Sequence, residues 1–318
     1  MRTLEPEFDR DGDVSQVRLS PDGQQLAFTV NGKNAGLYVG AADAEAPQKT
    51  LSSKISWRKL VGYNDWNTTN YKWSPEGRHI AYRIAAGTPG LDDRVGWVPT
   101  EKRGKLEWMA GQGFAWANQN SVLYVLDAGA LSVMRHDLSK GTSRKVGDFH
   151  HHHSNIHPPA LVPSPDGSKL IYTSRNMLED ATHVFISQRK SGEVVSEPLT
   201  WIPGASVHVH PFWSPKGVSV GLHLVHYGLD TTGMVLVDKL AGDGDTFYER
   251  DGLDPSATPA WTPDGNAIVF QREGDALTKL DLATRELKAM EAGGRGTPRF
   301  LPGGQLVLEG DNAIYFVD

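Results

Sequence analysis

Short runs of alternating apolar and polar residues recur along the chain, each placed after one kind of turn. QLAFTV, HIAYRI, SVLYVL, KLIYTS, VSVGLHLV, AIVFQR and QLVLEG follow SPDG at 20, SPEG at 74, a degenerate ANQN at 117, SPDG at 164, SPKG at 214, TPDG at 262 and LPGG at 301. Alternation with period two predicts strands with one buried face, because successive side chains point to opposite sides of a sheet. Proline presets φ for the first central turn position and glycine supplies the permissive conformation at its end, so each tetrapeptide predicts a hairpin. A short strand precedes the turn, often with an aromatic (YKW, FAW, PFW, PAW, PRF). A third strand follows, as in GLYVG, HVFISQ, MVLVDKL, LTKLDL and AIYFVD, and a fourth, poorer one completes most units.

The seven turns are spaced by 54, 43, 47, 50, 48 and 39 residues. Four antiparallel strands per unit, repeated in this way, predict an all-β fold, a seven-bladed β-propeller of four-stranded antiparallel blades. The last unit ends at Asp318 after its third strand, while RTLEPEF, ahead of the first unit, has no partner of its own. The N-terminal segment is therefore expected to supply the missing strand, closing the ring and removing two exposed sheet edges. Seven blades then account for residues 1–318 as a single propeller domain. Trp73, Trp116, Trp213 and Trp261 recur with the repeat and are expected in the core.

Composition narrows the function classes. Hydrophobic residues make up 39% and charged residues 22%, as in a folded globular protein. A net charge of −6 argues against a nucleic-acid partner, which would call for basic stripes. No apolar run is long enough to span a membrane and MRTLEPEFDRDGD does not resemble a signal peptide, so a cytoplasmic location without membrane attachment is expected. With no cysteine, disulfides, zinc knuckles and thiol nucleophiles are excluded, and a metal would need His, Asp or Glu.

The S-P-D-G turn, the LAF and IAY strands after it and the LYV strand that follows resemble the repeats of TolB-like (WD40-like) propellers, over essentially the whole chain. Such repeats also stand beside the hydrolase domain of prolyl-oligopeptidase-like peptidases. The peptidase reading is set aside because the blades use the chain that a hydrolase domain would need. The resemblance implies the fold; propellers of this type bind proteins, bind sugars or catalyse.

In such a blade the tight turns open on one face, while the loops between second and third strands open on the other, together with the loops between blades. The latter are long and varied here (AAGTPGLDDRVGW, SRNMLEDATH, HYGLDTTG, GDFHHHHSNIHPP, WIPGASVHVH), which places function on that face. Every histidine but His79 lies between 136 and 226, and seven of them, at 150–153, 157, 208 and 210, precede the first strands of blades four and five. First strands line the central channel of a propeller, so these side chains are expected at its mouth. In HVHP the spacing of two directs His208 and His210 to one side of an extended segment and Val209 to the other. Two neutral imidazoles on one side suit a divalent metal, with a third ligand, His153 or His157, from the neighbouring blade.

HVHPFWSPKG is also similar to the His-x-His-Pro segment ahead of a blade turn in oligogalacturonate lyases. That resemblance implies that His208 and His210 help to hold a catalytic manganese; as a divalent cofactor, Mn, Fe or Zn would each suit the imidazole donors. The lyases carry a glutamine three residues before the first of these histidines, where Ala205 stands here. Their third metal histidine falls at Ala160, with His157 nearby in sequence.

His226, at the upper end of VGLHLVHYG, is a candidate base. His223, on the opposite side of the strand by parity, is expected to be structural. Arg175 in YTSRN is a candidate to neutralise a substrate carboxylate and Arg272 in FQREG to bind substrate, against the plainer reading of both as salt-bridging arginines. These residues together suggest a metal-assisted lyase acting on an anionic uronate-type oligosaccharide. The alternatives are a non-catalytic TolB-like propeller that binds a protein or peptide partner, and a metal-assisted cyclase or isomerase on a small metabolite.

Overall fold

The fold is seen in a computed structural model, which describes residues 2–6, 12–42, 58–62, 71–84, 93–101, 106–117, 122–127, 132–148, 160–176, 179–190, 193–204, 207–226, 231–238, 246–250, 252–274, 276–291 and 294–317. Its strands form seven four-stranded antiparallel sheets, the blades of a seven-bladed β-propeller. Among the described residues there is no helix, and so none long and apolar enough to cross a membrane.

β1 is Arg2–Leu4. Blade one is β2 (Asp13–Leu19), β3 (Gln25–Asn31), β4 (Gly36–Ala41) and β5 (Arg58–Gly62); blade two is β6 (Tyr71–Trp73), β7 (His79–Ile84), β8 (Arg94–Pro99) and β9 (Glu107–Ala110). Blade three is β10 (Gly113–Trp116), β11 (Val122–Asp127), β12 (Ser132–Asp137) and β13 (Thr142–Asp148). Blade four is β14 (Leu161–Pro163), β15 (Lys169–Asn176), β16 (Ala181–Lys190) and β17 (Glu193–Pro203). Blade five is β18 (Val207–Trp213), β19 (Ser219–His226), β20 (Thr231–Asp238) and β21 (Thr246–Arg250). Blade six is β22 (Ala260–Trp261), β23 (Ala267–Gln271), β24 (Leu277–Asp281) and β25 (Leu287–Met290), and blade seven has β26 (Thr297–Phe300), β27 (Leu306–Glu309) and β28 (Ile314–Val317) with β1.

The chain divides into two compact units. One is Met1–Pro89, Gly96–Trp108 and Ser256–Asp318, with blades one, six and seven and the greater part of blade two; the other is Gly90–Val95 and Met109–Pro255, with blades three to five. In the first unit β1 takes the outer position of blade seven, as the incomplete last repeat leads one to expect, pairing Arg2 with Phe316 and Leu4 with Ile314. Leu4 then packs among Val17, Leu19, Phe28, Ile314 and Phe316.

The repeated turn is held by its own side chains. Ser164 Oγ donates to Asp166 Oδ1 at 2.6 Å and accepts from the Lys169 N–H at 2.9 Å, and Thr262 does the same with Asp264 and Ala267 at 2.6 and 3.0 Å. Gly167 and Gly265 close these turns at φ of 69° and 75°, which a side chain would strain. The backbone bond from Ser214 N–H to Ser219 O, 2.9 Å long, fixes the register of the fifth hairpin. Trp116 and Trp261 are buried, whereas Trp73 and Trp213 are half-buried and donate their indole N–H groups to Arg18 O and Val162 O at 3.3 and 3.0 Å.

Candidate functional site

The candidate site is built on the first hairpin of blade five. Along β18, Val207, Val209 and Pro211 are buried while His208 and His210 are half-buried, the alternation read from HVHP. Val207 and Val209 join Leu222 and Leu224 of their own blade and Ile171, Val184 and Ile186 of blade four in one apolar cluster. Pinning the valines in this layer forces the histidines onto the other side of the blade.

Register then decides their neighbours. His210 lies directly opposite His223 and His208 opposite Val225, so both histidines of HVHP share a face with His223. The His210 and His223 ring centroids are 5.9 Å apart, with the planes tilted by 38°. Phe212 and Gly221 are the next pair along this face. His223 is fully buried, and neither ring nitrogen has a hydrogen-bond partner. Burial above all, and then the neighbouring His210, push its pKa down to about 3, against the pull of Asp254. The imidazole is accordingly neutral at physiological pH, with one lone pair to offer. Asp254 is itself fully buried, next to Leu253, whose carbonyl accepts from Thr232 Oγ1 at 2.8 Å.

His226 lies on the opposite face, paired with Val207. The Val207 carbonyl accepts from Thr182 Oγ1 at 3.0 Å, and Thr182 pairs with Arg175 on β15. The backbone positions of Arg175 and His226 are thus linked through Thr182 and Val207 across blades four and five. His208 and His210 form a second set, on the far side of the same hairpin. Arg272 follows β23 of blade six, half-buried, with its guanidinium carbon 5.5 Å from the centroid of the Phe270 ring and its N–H donated to Ala276 O at 2.7 Å. His153 and His157 fall outside the described residues. Among the described residues no group of three or more His, Asp or Glu is arranged to hold a metal ion.

Parity along β19 separates His223 from His226, yet it leaves open which of the two joins His208 and His210. The hairpin register answers this and could have been counted: four steps out from the Ser214 and Ser219 pair reach His210 and His223. The same stretch also contains the spacing of a hydrolase nucleophile, G-x-S-x-G at 217–221. Ser219 is buried at the start of a strand with its N–H bonded to Ser214 Oγ at 3.0 Å, and a strand, not a helix, follows it; this is a hairpin element and no nucleophile elbow.

No protein-family model matches the chain, and no curated protein matches it. Among solved structures it is similar to hydrazine synthase of Kuenenia stuttgartiensis, at 14% identity and a TM-score of 0.64 over 98% of this chain and 97% of that one. A chain of the mitotic checkpoint complex gives 15% identity and a TM-score of 0.62 over 99% and 94%. A prolyl endopeptidase gives 18% and 0.57 over 95% of this chain and 47% of its own, so the chain spans about half of that protein. These likenesses are of fold alone.

Proposed function

We propose that the protein is a metal-assisted enzyme that acts on an anionic, uronate-type oligosaccharide at the upper end of the blade-five hairpin. The observation that carries this reading is the placement of His208 and His210 on one face of β18, half-buried and held there by the valines behind them. Imidazole nitrogens suit a divalent first-row ion, and the orphaned nitrogens of His223 on the same face fit such a guest better than they fit a packed core. A bound ion would supply Lewis-acid polarisation of the sugar carboxylate, acidifying the adjacent C–H.

The chain's own residues would do the rest. A sugar lying across the upper end of β18 meets His208 on one side of the hairpin and His226 on the other. In a β-elimination His226 accepts the proton from the carbon beside the carboxylate, a carbon–carbon double bond forms, and the glycosidic C–O bond breaks with its electron pair leaving on oxygen. Arg175, level with His226 in the neighbouring blade and not with the metal histidines, would neutralise the carboxylate of an adjoining uronate unit.

A second reading, a TolB-like propeller that binds a protein or peptide without catalysis, is favoured by the lack of a three-ligand cluster among the described residues. The likeness to a chain of the mitotic checkpoint complex, an assembly, fits it too. Metal analysis after purification without an immobilised-metal column separates the two. The enzyme reading expects about one equivalent of Mn, Fe or Zn, lost in a His208→Ala/His210→Ala variant, and ultraviolet absorbance of an unsaturated product from oligogalacturonate. A metal-free protein that forms no such product, even with added ion, overturns it in favour of the binding module.

A further inference from the structure

The second strand of every blade begins at a position fixed by the turn, so the fifth residue of that strand can be compared across blades. In blade one this is Thr29, bonded to Ser15 Oγ at 2.8 Å and donating to Ser15 O at 3.0 Å. In blade four it is Thr173, whose hydroxyl accepts from the Ala160 N–H at 2.8 Å. In blade seven, where the turn is one residue shorter and β27 starts one residue later in the pairing, the corresponding residue is Glu309, which accepts from the Leu19 N–H at 3.2 Å and pairs with Arg299 at 2.9 Å. In these three blades the polar side chain meets the protein's own groups; the amide of Gln271, at this position in blade six, does not. His223 occupies this position in blade five, fully buried, with both nitrogens unmatched. An unpaired buried polar group costs about 1–3 kcal/mol, a cost that Thr29, Thr173 and Glu309 avoid.

We propose that His223 is a metal ligand, holding a divalent transition-metal ion together with His210 across the β18–β19 pair. This rests on the metal-binding reading above and adds a residue that the HVHP motif does not contain. Two imidazoles bound to one ion at about 2.0 to 2.1 Å per nitrogen have ring centroids roughly 5 to 6 Å apart, depending on the angle at the metal. The observed separation is 5.9 Å. Asp254, also buried, places a negative field on His223, which would favour a cation bound to this ring.

The test titrates Zn(II) into metal-stripped full-length protein by calorimetry, comparing wild type with His223→Leu, His223→Gln, His208→Ala, and His183→Ala as a blade-four control. Loss of about a hundredfold or more in Zn(II) affinity in both His223 variants, with His183→Ala unchanged, is the expected result. Ring ¹⁵N resonances of wild-type protein provide a readout that does not depend on the variants folding: those of His210 and His223 should move on adding Zn(II), and that of His183 should not. If His208→Ala loses the ion while the His223 variants keep wild-type affinity and the His223 resonances stay fixed, this inference falls and the proposed function stands. If wild type binds no ion, both fall.

Discussion

The tip of the Phe212 ring lies over Gly221, so closely that a Cβ at position 221 would overlap it. The two residues are cross-strand partners two pairs below His210 and His223, the next pair on the same face. Glycine is needed at 221 for this close approach, since the ring uses the space a side chain would take.

Gly221→Ala should therefore displace Phe212 and destabilise the fold by about 1–3 kcal/mol. Adding Phe212→Leu should recover part of that loss, a coupling that a double-mutant cycle in urea measures. Additive effects of the two changes would refute the contact.

Leu4 ties the first strand of the chain into the last blade. It is buried among residues of blades one and seven, and β1 covers the edge that β28 would otherwise expose. Leu4→Ala should cost about 2–5 kcal/mol in urea denaturation, while deletion of Arg2–Leu4 should cost more and promote self-association through the bare edge of β28. A deletion variant as stable and as monomeric as wild type would show that the pairing contributes little.

The blades were legible because five of the turns carry their own chemistry: a serine or threonine that caps the hairpin, a glycine with positive φ, and, in all of these but blade five, where Lys216 stands, an acidic residue two positions on. Once the turn is fixed, the strands on both sides have one register, and the face of every residue follows by counting. His208 and His210 on a common face were readable in this way. His223 as their neighbour needed the same count carried across the turn to the second strand. The burial of Asp254 has no counterpart in the local pattern, because it depends on a segment beyond the blade's last strand. The separation of His226 from the HVHP histidines follows from the same count, since His226 lies opposite Val207; which of the two faces packs on blade four is a tertiary choice that local alternation leaves open.

Acid stability should depend on the turn carboxylates. The Ser164 hydroxyl, the Ser168 N–H and the Ser168 hydroxyl, in that order, lower the pKa of Asp166 from 3.8 to about 2. In the unfolded chain the carboxyl titrates near its ordinary value, so the unfolded state binds the proton first as pH falls. The stabilisation is present above about pH 4 and is lost as pH falls through about 2. Asp166→Asn should lower the urea midpoint at pH 6 but narrow its gap to wild type between pH 4 and 2. A gap that is constant over this range would rule out the linkage.

Gln271 gives the sharpest test of how buried polar groups are used in these blades. It is the fifth residue of the second strand of blade six, the position of Thr29, Thr173, His223 and Glu309 in their own blades, and it is fully buried with neither amide atom hydrogen-bonded. Its strand partner is Leu277, which packs with Val269, Leu306 and Leu308. An amide in this apolar layer costs more than a thioether of similar length, because it gives up hydrogen bonds to water and regains none. Gln271→Met should raise stability by about 1–2 kcal/mol, read as a higher urea midpoint at unchanged slope. Destabilisation instead would mean that the amide is satisfied in solution, and the contrast drawn between orphaned and partnered residues at this position would lose its basis.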